Sequence, residues 1–194
     1  MGLGRDRYLR RQGFNCSAGA LKSVAMSYVP RAPQLSPLTA ETKAQRYAEL
    51  SDEIAAVLDG ETNRIAQYAT VAAMLADAFP HFFWTGFYLV DPAKPQELVV
   101  GPYLGTLGCL RIAFGRGVCG AAAATRTTQL VEDVNAFPDH IACDSRSQSE
   151  VVVPVLDRAG ELIAVLDVDA TETAAFDAVD AKGLEAIVAR IFAS

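Results

Sequence analysis

Long apolar runs are missing from this chain. No stretch of about 18 uncharged apolar residues occurs, which excludes a helical membrane span. C-x-x-C pairs are missing too, and histidine is scarce, with only His81 and His140. Little is left from which to build a structural zinc site, and no metal is expected. The N-terminal region shows no secretory apolar segment, and Gly2 lacks the Ser or Thr of a myristoylation signal. Bases are thin over most of the length. Residues 1–37 carry Arg5, Arg7, Arg10, Arg11, Lys22 and Arg31 against Asp6 alone, so of 17 bases and 23 acids the remainder holds 11 and 22. So acidic a body matches the phosphate backbone poorly, and no nucleic-acid partner is expected. A small polar or zwitterionic ligand fits better.

With 51% apolar and 21% charged residues among 194, the chain can bury a real core. One domain is expected over residues 38–194. Residues 1–37 read as a disordered N-terminal extension, Arg-rich and then punctuated by Pro30, Pro33 and Pro37. A transit peptide is the competing reading, with Met26 as an internal start. The sequon Asn15-Cys16-Ser17 is taken as chance. Four cysteines without a secretory leader point to reduced thiols and a cytoplasmic protein.

Apolar periodicity predicts a helix capped between Ser36 and Thr39 and stopped at Asp59-Gly60. A second helix, Thr62 to Phe79, is predicted to bury Ile65, Tyr68, Ala72, Leu75, Ala76 and Phe79. Strands are predicted over Phe82–Val90, Glu97–Val100, Cys109–Phe114 and Gln129–Val134. Asp157-Arg158-Ala159-Gly160 signals a hairpin between Val151–Leu156 and Leu162–Val168. A last helix starts at Asp177, with Asp180 completing an acidic variant of the capping box. The order predicts an α+β fold, a mostly antiparallel sheet with helices on its faces.

The chemistry concentrates between Cys109 and Glu150. Gly115-Arg116-Gly117-Val118-Cys119-Gly120 fits G-x-G-x-x-G, but no repeated βαβ pattern supports a dinucleotide site, and a tight strand-to-helix turn is expected instead. Cys143 lies in a loop, Asp139-His140-Ile141-Ala142-Cys143-Asp144, where a reactive thiol is well placed. Cys109 and Cys119 flank the glycine turn, and either is near enough in sequence to swing toward Cys143 and resolve a sulfenic acid. Ordinary buried cysteine is the bland alternative. Glu150 opens one hairpin strand, and Asp167 and Asp169 close the other two residues apart. Hairpin geometry therefore gathers all three on one face. Clustered like charges raise at least one pKa and create a candidate general acid.

At these residues the chain resembles the free methionine-(R)-sulfoxide reductases, a family of stand-alone GAF-domain enzymes. The resemblance is carried by Trp84-Thr85-Gly86-Phe87-Tyr88-Leu89, Gly101-Pro102-Tyr103, RIAFGRGVCG, TQLVEDV, FPDHIACD, SEVVVPV and VLDVD, and spans about residues 40–193. It implies a six-stranded, mainly antiparallel GAF-like sheet and a homodimer. It implies that Cys143 attacks the sulfoxide sulfur, that Cys109 is the main resolving thiol and that Cys119 is an auxiliary one. Glu150, Asp167 and Asp169 match carboxylates that hold the substrate, and Trp84 and Tyr88 match aromatic residues near its methyl group. The implied activity is reduction of free L-methionine (R)-sulfoxide through a sulfenic acid and an intramolecular disulfide. A thioredoxin-type reductant recycles that disulfide, with no cofactor. The competing class is a non-catalytic GAF module that senses a small ligand or redox state.

Overall fold

The computed structural model describes residues 39–141 and 143–193. The extension read over residues 1–37 lies outside them.

Helix α1 (Ala40–Val57) starts where a cap was expected, with Thr39 Oγ1 accepting from the Thr42 backbone N–H at 3.2 Å. Helix α2 (Arg64–Ala78) is capped by Asn63, whose Oδ1 accepts from the N–H groups of Ile65 and Ala66. Its buried face runs through Tyr68, Val71, Ala72 and Leu75. Ile65 was expected on that face but is 55% exposed. It sits in the first helical turn, before α2 reaches the sheet, where periodicity carries no information about what lies opposite.

Six strands form one sheet in the order β3-β2-β1-β6-β5-β4, and every neighbouring pair is antiparallel. The strands are β1 (Trp84–Asp91), β2 (Lys94–Leu104), β3 (Arg111–Ala113), β4 (Gln129–Val131), β5 (Ser149–Leu156) and β6 (Leu162–Ala170). β2 is longer than predicted and contains Pro95 and Pro102. The ladder with β1 slips at both places, between Val90 and Asp91 and between Gly86 and Tyr88. Each proline thus occupies a bulge, where its missing N–H breaks no pairing. β3 is shorter than the predicted Cys109–Phe114, and Leu110 is 70% exposed. β4 ends at Val131, and Val134 opens a 3-10 turn.

Both faces of the sheet are covered. One packs Phe87, Val151, Val153, Leu166 and Val168 under α1, α2 and α4 (Ala178–Phe192). The other packs Trp84, Tyr88, Val152 and Val165 under the short helix α3 (Gly117–Thr125). Removing such side chains from water contributes about 1.5–3 kcal/mol each.

The helical layer is pinned by a buried ion pair. Asp180 on α4 is fully buried, takes Lys43 Nζ of α1 at 2.7 Å and accepts from Tyr47 Oη at 2.9 Å. It also accepts from the Asp177 backbone N–H, completing the predicted capping box. Gly183, one turn later, lets Tyr47 lie flat on α4. A Cβ there would stand 2.2 Å from Tyr47 Cγ, and that ring is already stacked on Phe79 at 4.5 Å. Gly183→Ala is therefore expected to cost about 1–3 kcal/mol or more through overpacking. Urea unfolding checks this; an unchanged midpoint would show that the α1–α4 contact is looser than drawn.

Candidate active site

The hairpin register assembles the floor of a pocket. Glu150 on β5 pairs directly with Asp169 on β6, and Asp167 lies two residues along the same face. β1 continues that face: Trp84 pairs with Asp169 and Tyr88 with Val165. The three acids expected to cluster do so, and two aromatic rings stand beside them. Trp84 stacks on Tyr88 at 5.6 Å and on Tyr103 at 5.1 Å. Gly86 makes that stack possible, because a Cβ there would sit 2.2 Å from Tyr103 Cβ and 2.9 Å from the Trp84 ring.

Helix α3 closes one side. The glycine-rich segment is the tight turn expected: Gly115 and Gly117 take positive φ, and Gly115 N–H donates to Gly120 O at 2.7 Å. The turn delivers Cys119 into the pocket as a buried thiol whose S–H donates to Glu150 Oε1 at 3.8 Å. Cys119 Sγ and one carboxylate oxygen each of Glu150 and Asp167 lie within 4.8 Å of one another. A metal ion there would require a thiolate. Burial and the surrounding carboxylates push the Cys119 thiol well up, favouring the S–H over the thiolate.

Two loops form the mouth. Cys109 stands at the end of the β2–β3 connection and Cys143 in the loop before β5, and the two are joined as a disulfide with Cα atoms 5.3 Å apart. The pair left open by the sequence is therefore Cys109–Cys143, with Cys119 free. A second tie runs beside the bridge: Thr106 Oγ1 donates to Asp144 Oδ2 at 2.6 Å. Thr106 O also accepts from Trp84 Nε1 at 3.0 Å, and Arg146 pairs with Asp144 at 2.8 Å. Arg146 and Thr106 together hold the Asp144 carboxyl well below its usual range. These loop ties were not anticipated. Thr106 and Asp144 are 38 residues apart, and no periodic pattern connects them. His140 is half-buried on the lining, whereas His81 lies outside the site, edge-on to Phe82.

The electrostatics of the floor follow from burial. Glu150 and Asp167 are each 6% exposed. Burial first, then the charges of Asp167 and Asp169, pushes Glu150 well above the usual carboxylate range. Burial and Asp167 do the same to Asp169, while burial alone raises Asp167 to about 6, against hydrogen bonds from Cys119 and Glu150. Asp167 Oδ1 is buried without a hydrogen-bond partner. The floor thus has spare acceptor capacity and carboxyl groups that hold their protons to higher pH than usual. Arg116, at the head of α3, is the one permanently charged base on the lining among the described residues.

Known proteins resemble this chain in sequence and fold. Residues 63–191 match the GAF domain family. The chain is 47% identical over 147 residues to GAF domain-containing protein A of Dictyostelium discoideum, covering 76% of this chain and 90% of that protein. It is 40% identical over 149 residues to the free methionine-R-sulfoxide reductase of Escherichia coli, covering 77% and 88%. Among solved structures, the free methionine-R-sulfoxide reductase of Neisseria meningitidis in complex with its substrate superposes with a TM-score of 0.74 at 46% identity, covering 82% of this chain and 92% of that one. Through a GAF domain spanning most of the described residues and these full-length relatives, the chain belongs to the GAF-domain family of free methionine-R-sulfoxide reductases.

Proposed function

We propose that this protein reduces free L-methionine (R)-sulfoxide to L-methionine, using Cys143 as nucleophile and Cys109 as resolving thiol. The observation that carries the reading is a disulfide at the mouth of a pocket floored by three carboxyl groups, two of them deeply buried and all raised in pKa. Such a floor suits one end of a small zwitterion. Asp167, ionised above about pH 6, has an unpartnered oxygen to offer an ammonium. The Trp84–Tyr88 wall suits the methyl group, and Arg116 offers a counter-charge for the substrate carboxylate.

In the reaction, the Cys143 thiolate attacks the sulfoxide sulfur while Glu150, protonated, gives its proton to the oxygen. The sulfur–oxygen bond breaks, oxygen passes to Cys143 as a sulfenic acid, and methionine leaves. The Cys109 thiol then displaces water and closes the disulfide. Two thiols and one sulfoxide thus become one disulfide, one methionine and one water. A thioredoxin-type dithiol reopens the disulfide by exchange. No cofactor enters this scheme. A homodimeric, cytoplasmic protein, with residues 1–37 outside the catalytic unit, completes the reading.

The test uses separated R and S epimers, free and within a peptide. Only the free R epimer is expected to yield methionine, because a peptide lacks the ammonium that the carboxylate floor receives. Equal turnover of peptide-bound sulfoxide, or of the S epimer, would sink the assignment. A sensing module would instead bind the sulfoxide and release it unchanged.

A further inference from the structure

Cys119 is the one cysteine among the described residues outside the disulfide, and its surroundings suit a different task from that of the other two. It sits in the first turn of α3, locked by the hydrogen bond from Gly115 N–H to Gly120 O and by the burial of Val118, Ala122 and Ala123 around it. It is 4% exposed, against an exposed Cys143. A resolving thiol works as a thiolate with access to the sulfur it attacks. Cys119 instead directs its S–H at Glu150 Oε1 at 3.8 Å, with an Asp167 carboxylate oxygen within 4.8 Å. Beside it, Asp167 Oδ1 is buried with no partner.

We propose that Cys119 is a positioning residue of the carboxylate floor. It donates its S–H to the Glu150–Asp167 pair so that the pair presents an oriented carboxylate to the substrate's ammonium, and it takes no part in the sulfur redox steps. This rests on the reductase reading of the same pocket. A donor at this point favours the ionised carboxylate, and its loss leaves the pair to hold its protons to higher pH. The other charged or titratable groups on the lining are Asp169 of β6, Tyr88 of β1, Arg116 of the α3 turn, and His140, Cys143 and Asp144 of the loop before β5. None of them offers the pair a substitute donor among the hydrogen bonds of the described residues.

The experiment compares Cys119→Ser, which keeps a donor, with Cys119→Ala and Cys119→Val, which do not; Val preserves more of the volume should Ala fail to fold. With free R sulfoxide, both donor-less variants are expected to raise KM about tenfold at pH 5 and only about twofold at pH 7, the effect of Asp167, ordinarily at about 6, holding its proton about one pH unit higher. Their kcat is expected to stay near wild type, and KM to recover as the pH is raised. Ser should restore the wild-type profile. All three should release one methionine per site and lose two thiols as the Cys109–Cys143 bridge closes. A substrate-independent arm follows the protonated-carboxyl infrared band with pH. The band should persist to higher pH in Ala and Val but not in Ser.

If Ser fails like Ala and Val, with methionine released but the bridge unclosed, Cys119 is a resolving thiol and the proposal is overturned. It is equally overturned if all three variants match wild type in both the KM profile and the infrared titration. If the wild-type protein released no methionine at all, the reductase reading would fall, while the infrared arm would still decide whether Cys119 sets the carboxyl protonation.

Discussion

Replacing Cys143 by serine is expected to abolish methionine formation from free methionine (R)-sulfoxide, even in a single turnover without reductant. The loss should be on the order of 10⁴-fold or more, the scale on which removal of a covalent nucleophile acts. A serine hydroxyl is a far weaker nucleophile than a thiolate. Cys143 is the exposed member of the bridge and lines the same pocket as the carboxylate floor. Among the described residues, attack by another thiol would have to come from Cys109, which the bridge places beside Cys143, or from Cys119, whose thiolate burial and the surrounding acids disfavour. The measurement is a quenched single turnover of the reduced protein with methionine quantified directly. A wild-type burst from Cys143→Ser would remove Cys143 from the mechanism and put Cys109 in its place.

Glu150→Gln should have the next largest effect, a loss in kcat/KM of about 10²–10⁴-fold, typical of a removed general acid. Glutamine keeps the shape and can still donate a hydrogen bond, but it cannot transfer a proton to the departing oxygen. The pH dependence distinguishes this from a binding defect. On the proposed mechanism, the active form needs Glu150 protonated and Asp167 ionised. Activity should therefore rise as the pH passes about 6, where Asp167 ionises, and fall at higher pH as Glu150 loses its proton. The two acids titrate as a pair, so the limbs belong to the pair rather than to single residues. In Glu150→Gln the alkaline limb should vanish while the reduced protein keeps its full thiol count. An alkaline limb unchanged by the substitution would assign the proton to Asp169 instead, the other acid raised well above its usual range.

Local signals sufficed for much of the framework. Thr39, Asn63 and Asp177 are side-chain caps, and a cap acts within three residues, so the helix starts that depend on them can be read from short stretches. The Asp157–Gly160 turn marks the hairpin and sets the Leu156–Leu162 pairing beside it, because a short hairpin loop admits few alignments. Continued unbroken, that register would pair Glu150 with Val168 and put Asp167 and Asp169 on the opposite face; the one-residue slip between Val155 and Leu156 pairs Glu150 with Asp169 instead. The hairpin thus brings the three acids to one end of the sheet, and the bulge turns them to one face.

Other features depend on what lies across from a residue rather than beside it. Ile65 and Leu110 are apolar at positions where periodicity points inward, yet both are exposed, because no element covers them among the described residues. Pro95 and Pro102 look like strand breakers until the bulges against β1 are known. Motif resemblance offered Cys109 as the resolving thiol, but the residues themselves left Cys109 and Cys119 as equal partners for Cys143.

The sequence by itself determined the α+β class, the caps at Thr39 and Asp177 and the Asp157–Gly160 hairpin, because each rests on contacts within a few residues or on one turn. Only the tertiary structure decided which two thiols join, that Thr106 and Asp144 tie the two loops carrying them, and that the third thiol is sealed against Glu150 and Asp167. Those outcomes turn on distances between segments tens of residues apart and on how completely water is excluded, and packing alone sets both.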